Sequence, residues 1–154
     1  MAEITAKRFT IRAAVYLVLI KDNQVLLARR YKTGWEDGKY SMVAGHLDGA
    51  ESVSTALARE VIEECGISID PPEIRIIHTM HRNSGDFEYI DFFGTTDKWQ
   101  GEPKILEPDK CDDLQWFSLD RLPGNLLPHV RHALDCIKNG IIFSEFGWEN
   151  RLPG

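Results

Sequence analysis

The chain has 154 residues, 43% of them hydrophobic and 27% charged, with a formal net charge of −6. That length suits one domain able to bury roughly 70% of its unfolded surface, and the ordinary, non-repetitive composition excludes a disordered or fibrous chain. The acidic balance argues against a sequence-independent grip on a nucleic-acid polymer, and the longest apolar run, Ala13–Ile20, is well short of the roughly 20 residues that span a bilayer.

No basic leader with a following apolar stretch opens the chain. Cys65, Cys111 and Cys136 are odd in number and form no CxxC pair, which fits reduced thiols and a cytoplasmic protein. Ile11–Ile20 and Gln24–Arg30, rich in Val, Ile and Leu, read as two strands of a hairpin turning at Lys21-Asp22-Asn23. Tyr31–Lys39, with Gly34, Trp35 and Gly38 among charges, reads as a loop, and Tyr40–Ala44 as a short strand leading into Gly45. A helix is expected from Ser52 to Cys65, where Val53, Ala56, Leu57, Val61 and Ile62 form an apolar stripe and Gly66 supplies the stop. Pro71-Pro72 breaks the chain before Ile74–His81 and Phe87–Thr96, an antiparallel pair turning at Ser84-Gly85-Asp86. Trp99–Lys110 is a loop, Asp113–Phe117 a short strand, and Leu126–Asn139 a second amphipathic helix. The tail Ile141–Trp148 carries Phe143, Phe146 and Trp148, which could cover the core or form a homodimer contact. Strands, helix, strands, helix make an α/β protein of one domain, residues 1–154, with a mixed β-sheet between helices.

Chemistry concentrates in the first helix. At 100° per residue Glu60, Glu63 and Glu64 project within an arc of roughly 100°, one face with three negative charges. A solvated face could tolerate that, since like charges at i,i+4 cost only about 0.2–0.5 kcal/mol. A divalent cation would turn the repulsion into attraction, and carboxylate oxygens are the ligands Mg²⁺ prefers. The loop from Gly45 to Ala50, leaving a strand and entering the helix, can bring a backbone carbonyl to the same point.

Gly45, Glu51, Arg59, Glu60, Glu63, Glu64 and Gly66 fit G-x₅-E-x₇-R-E-U-x-E-E-x-G-U, with Val61 and Ile67 at the aliphatic positions U. This resembles the Nudix box of the Nudix hydrolase superfamily. The resemblance implies an α/β/α sandwich and a hydrolase that cleaves a nucleoside diphosphate linked to another moiety with Mg²⁺ or Mn²⁺. It implies that Glu60, Glu63 and Glu64 bind metal with the Gly45 carbonyl, while Glu51 and Arg59 pair to hold the loop against the helix. Trp99-Gln-Gly-Glu-Pro, then Glu107, and Leu122-Pro-Gly-Asn125 are similar to stretches of MutT-type nucleoside triphosphate pyrophosphohydrolases. By that likeness Glu107 is a further metal-binding or base carboxylate, and Asn125 an amide for the nucleobase.

This chain has Val43-Ala44-Gly45 where many such proteins have Pro-Gly-Gly, and Met42 where a base-facing aromatic is usual, so a different base or looser pocket is expected. Arg29 and Arg30 could reach substrate phosphates, but strand alternation allows only one on the site-facing side, and Arg30 is the choice. His46, His78, His81 and Trp35 could touch substrate, although packing or surface roles are commoner for such residues. The expected activity is hydrolysis of a nucleoside triphosphate to a monophosphate and pyrophosphate, a small-molecule nucleotide being the partner. ADP-ribose or a nucleotide sugar is the alternative substrate, and a non-catalytic nucleotide sensor is the rival of another class. The general base is one of Glu60, Glu63, Glu64 and Glu107, and spacing does not choose among them.

Overall fold

The computed structural model describes residues 7–149. Its first strands correct the hairpin expected from sequence. The apolar run divides into β1 (Arg12–Leu17) and a two-residue β2 (Ile20–Lys21), and only β2 forms a hairpin with β3 (Gln24–Arg30). Asp22 and Asn23, with φ of 51° and 59°, supply the two left-handed residues that such a tight turn needs. β1 joins a different sheet because it is buried on both faces. Ala14, Tyr16 and Val18 enter one apolar cluster, and Val15, Leu17 and Leu19 enter another. A strand covered on both sides belongs inside a sheet, and β1 accordingly has neighbours on both edges.

Those neighbours are β5 (Ala44–His46), antiparallel to β1, and β7 (Glu88–Thr95), parallel to it. β6 (Arg75–Asn83) runs antiparallel to β7, and β9 (Phe143–Phe146) completes the mixed sheet in the order β5-β1-β7-β6-β9. The aromatic tail is therefore a parallel edge strand, with Phe146 packed on the core and Phe143 52% exposed. The second sheet centres on β3, with β8 (Cys111–Ser118) along one edge, and β2 and β4 (Tyr40–Ser41) on the other. Tyr40–Ala44 is not one strand: β4 ends at Ser41, and Ala44 opens β5 in the other sheet.

Helix α1 (Val53–Cys65) lies on the face of the mixed sheet that carries Val15, Leu17 and Leu19, burying Ala56, Leu57, Val61 and Cys65. Ser52 Oγ accepts from Thr55 N at 3.2 Å, and Gly66, with φ 74°, closes the last turn by donating to Ile62 O. Helix α2 (Pro128–Lys138) covers the opposite face with Val130, Ala133 and Leu134. The mixed sheet is thus sandwiched between helices. Burial pushes the Cys65 thiol up to about 11, in keeping with a packing role. Among the described residues no helix is long and apolar enough to cross a membrane.

α1 approaches β7 closely at Gly94, where a Cβ would lie 2.6 Å from Leu57 Cδ2 and 3.1 Å from Ile74 Cγ2. Gly94→Ala is expected to overpack this contact and lower unfolding stability by about 1–3 kcal/mol in denaturant titration, while an unchanged midpoint would show that the helix yields freely.

Candidate active site

Gly45 sits on β5 with its α-carbon against the Glu60 carboxyl group, which a Cβ would strike. Only glycine lets this edge strand lie so close to the acidic face of α1. The chain then turns through Gly49 and Ala50, both with positive φ, and Asp48 N donates to Glu51 Oε1 at 2.7 Å. Arg59 grips the loop from the helix. Its Nε and Nη2 donate to Glu51 Oε2 and Oε1 at 3.1 and 2.8 Å, and Nη2 also reaches the His46 carbonyl at 3.1 Å. Hydrogen bonds from the guanidinium, then from Asp48 N, hold the Glu51 carboxyl below its ordinary range. Arg59 Nη1 is 2.9 Å from Glu60 Oε1 and 3.5 Å from Glu63 Oε2, so the same cation also steadies the acidic face.

Glu107 comes to this face because the loop 99–110 caps the end of α1. Lys104 N and Leu106 N donate to the carbonyls of Cys65 and Glu64 at 3.1 and 3.2 Å, satisfying acceptors that the helix terminus leaves open. Burial, then the charges of Glu60 and Glu107, push the Glu64 carboxyl up to about 8. Glu60 is raised mainly by burial, against the pull of Arg59. Lys110 Nζ, 3.6 Å from Glu107 Oε2, is a compensating cation nearby. Glu60, Glu64, Glu107 and Gly45 line one end of a cavity of about 700 Å³. Glu63 does not line it, and its side chain is 51% exposed.

The donor set fits a hard divalent cation by chemistry: carboxylate and carbonyl oxygens, surplus negative charge and partial exclusion of water. As placed, no three His, Cys, Asp or Glu side chains among the described residues converge tightly enough to hold one ion, and Arg59 shares the neutralisation of Glu60. Glu60, Glu64 and Glu107 line the cavity with Gly45, and these oxygens could hold Mg²⁺ or Mn²⁺ only by drawing closer together than they stand here.

The other expected contacts divide. Arg29 and Arg30 both line the cavity, contrary to simple alternation, and the register against β8 shifts between them. Arg29 is paired in two-pronged fashion with Asp112 at 2.7 and 3.2 Å, and Arg30 donates to Trp35 O and Thr33 Oγ1, both at 2.8 Å. Neither guanidinium is held out for a phosphate. Met42 is buried and lines the cavity, as does His46 at its mouth. Asn125 does not line it: its amide donates to the Gly38 carbonyl at 2.8 Å and ties the 31–39 loop to the approach to α2. His78 is buried between Ile141 O and Ser144 Oγ, and His81 pairs with Glu88, both away from the cavity.

Sequence reasoning weighed Trp35, which lines the cavity, but passed over Tyr16, Arg82 and Tyr89, which line it too. Arg82 Nε and Nη2 lie 2.5 and 3.2 Å from the Asp91 carboxylate, both side chains being buried. A charge of each sign in the middle of apolar strands was the signal available, since such residues persist in a core only when paired. His129 Nε2 is 3.2 Å from Tyr16 Oη, and burial, then the charges of Arg82 and Arg30, hold its pKa down to about 3, so the ring is neutral.

The chain matches the NUDIX domain model over residues 10–138. It is 29% identical over 111 residues to the NAD-capped RNA hydrolase NudC of Stutzerimonas stutzeri (strain A1501), a stretch covering 72% of this chain and 38% of that protein. Similarity to the NAD-capped RNA hydrolase NudC of Pseudomonas entomophila (strain L48) is 32% over 115 residues, 73% of this chain and 38% of that one. The chain thus spans well under half the length of these curated relatives. Among solved structures, a MutT NUDIX hydrolase from Burkholderia pseudomallei superposes with a TM-score of 0.76 at 28% identity, covering 82% of this chain and 98% of that one. A MutT protein from Methanosarcina mazei Go1 shares the fold, with a TM-score of 0.73 at 20% identity over 84% of this chain and 94% of the other. With the glutamates of α1, the glycine of β5 and the Arg59 clamp in the register on which the family is defined, this chain belongs to the NUDIX domain family of hydrolases.

Proposed function

We propose that the protein hydrolyses the diphosphate linkage of a small nucleotide with the help of Mg²⁺ or Mn²⁺, converting a nucleoside triphosphate to a monophosphate and pyrophosphate. The observation that carries this reading is that Glu60, Glu64, Glu107 and Gly45 together line a cavity large enough for a nucleotide. When bound, the cation supplies positive charge against the diphosphate oxygens and acidifies water. The chain's own residues do the rest. Arg59 and Glu51 fix the loop so that the Gly45 carbonyl and the carboxylates keep one geometry. In this reading one of Glu60, Glu63, Glu64 and Glu107 accepts a proton from the attacking water, whose oxygen bonds to phosphorus as the bridging P–O bond breaks. Lys110 limits the repulsion between this face and an anionic substrate.

A second reading has support of its own. The cavity is also lined by Arg12, Phe87 and Tyr89, and the relatives are named NAD-capped RNA hydrolase. ADP-ribose, nucleotide sugars, NAD and NAD-capped RNA therefore belong beside the triphosphates in a substrate panel with Mg²⁺ and product identification. Fast turnover of a triphosphate to monophosphate and pyrophosphate is expected. Faster turnover of a substrate with two groups on its diphosphate would instead establish the second reading. Glu64→Gln should lower kcat on whichever substrate is used by about 10²-fold or more, and unchanged turnover would remove this carboxylate from the reaction.

Glu64 also gives stability a pH dependence. With chelator present its folded pKa of about 8 lies above the ordinary 4.5, so the stability that its protonated form contributes is complete below 4.5 and is lost as pH rises through about 8. Between pH 5 and 9 the melting temperature of the wild type should fall further than that of Glu64→Gln, and Mg²⁺ should recover the difference. Equal losses in the two proteins, measured by thermal denaturation, would contradict the crowding of carboxylates described above.

A further inference from the structure

Trp35 is held in place far more firmly than an exposed loop residue requires. The Asp37 carboxylate accepts from Thr33 N and Gly34 N, each at 3.0 Å, and from Thr33 Oγ1 at 2.6 Å. Arg30 binds the Trp35 carbonyl from below, and its guanidinium carbon lies 4.9 Å from the indole centroid. Asn125 fastens the far end of the loop through Gly38. Yet the indole presented by this scaffold remains 47% exposed and lines the cavity. Burying such a ring would favour folding, so a rigid loop that keeps it open to a cavity is arranged for contact with something else.

A second observation points to the same ligand. Arg82 is 5% exposed and lines the cavity, with Nε and Nη2 committed to Asp91, while Nη1 has no hydrogen-bond partner among the described residues. Arg82 and Trp35 line the same cavity and are linked through Tyr16 and His129. Arg82 Nη2 is 3.5 Å from Tyr16 Oη, Tyr16 Oη is 3.2 Å from His129 Nε2, and the His129 and Trp35 ring centroids are 6.5 Å apart. A nucleobase offers what both residues lack: a flat π face for the indole and in-plane acceptor atoms for an arginine donor. A phosphate fits this end less well, since the guanidinium of Arg30 is already engaged by Trp35 and Thr33.

We propose that the end of the cavity bounded by Trp35, Tyr16 and Arg82 receives the nucleobase of the substrate, with the Trp35 indole as its stacking face and Arg30 as the residue that positions it. The proposal rests on the nucleotide reading above but is tested by binding, without turnover. With EDTA present, AMP, GMP, CMP and UMP are titrated calorimetrically and by tryptophan fluorescence, with ribose 5-phosphate as the control that lacks a base. At least one nucleotide should bind the wild type more tightly than ribose 5-phosphate and quench emission. Trp35→Ala should weaken that nucleotide by about fivefold or more and leave ribose 5-phosphate unchanged, whereas Trp35→Phe should retain affinity without the quench. The proposal is overturned if no nucleotide binds better than ribose 5-phosphate, or if Trp35→Ala binds nucleotide as the wild type does. Failure of the catalytic reading would look different: wild-type protein would bind a base through Trp35 and hydrolyse no diphosphate.

Discussion

One guanidinium organises the acidic end of this molecule. Arg59 lies within 3.5 Å of four carboxylates, those of Asp48, Glu51, Glu60 and Glu63, and it reaches the His46 carbonyl as well. Its planar fork suits this task because two of its edges can be used at once, one toward the loop and one along the helix. A single positive charge cannot balance four negative ones, and Glu107, partly offset by Lys110, adds a fifth beside the Glu64 carboxyl, which burial and that charge hold toward its protonated form. The clamp therefore makes the loop rigid while leaving a surplus of negative charge. That surplus is the physical basis for expecting a divalent cation, and the rigidity is what lets the carboxylates serve one reaction geometry.

The fold places this charge where a ligand can reach it. β5 is the edge of the mixed sheet, so the cavity opens beside it, against the sheet built on β3. Gly45 brings that edge onto α1, and the loop that caps α1 delivers Glu107 from the other side. Another part of the surroundings has a different chemistry, with aromatic rings, a buried Arg82–Asp91 pair and a neutral histidine. A nucleotide has the same polarity, an anionic diphosphate joined to a flat, weakly polar base.

What the sequence made legible was local. The register from Gly45 to Gly66 lies within one strand, one loop and one helix, so spacing alone carries the geometry, and the Ser52 cap and Gly66 stop bound α1 within one residue. What it concealed was pairing at a distance. β1 and β3 looked like a hairpin because they are adjacent in the chain, whereas burial on both faces of β1 decides its true neighbours. The parallel pairing of the tail with β6 likewise has no turn to announce it. Arg30 and Asn125 have side chains suited to substrate, but both are spent on the 31–39 loop, a use visible only once Trp35 and Gly38 are in place. Arg82 and Asp91, nine residues apart on paired strands, become informative when each is seen to compensate the other's charge in a core.

The central question is whether the acidic end gathers around a cation while the Arg59–Glu51 clamp stays closed. A crystal structure with Mn²⁺, located by its anomalous signal, tests this most directly. Manganese is expected among the carboxylates of Glu60, Glu64 and Glu107 and the Gly45 carbonyl, with Arg59 still paired to Glu51. Manganese bound elsewhere with this face unoccupied, or an Arg59 that abandons Glu51 when the ion binds, would contradict the account.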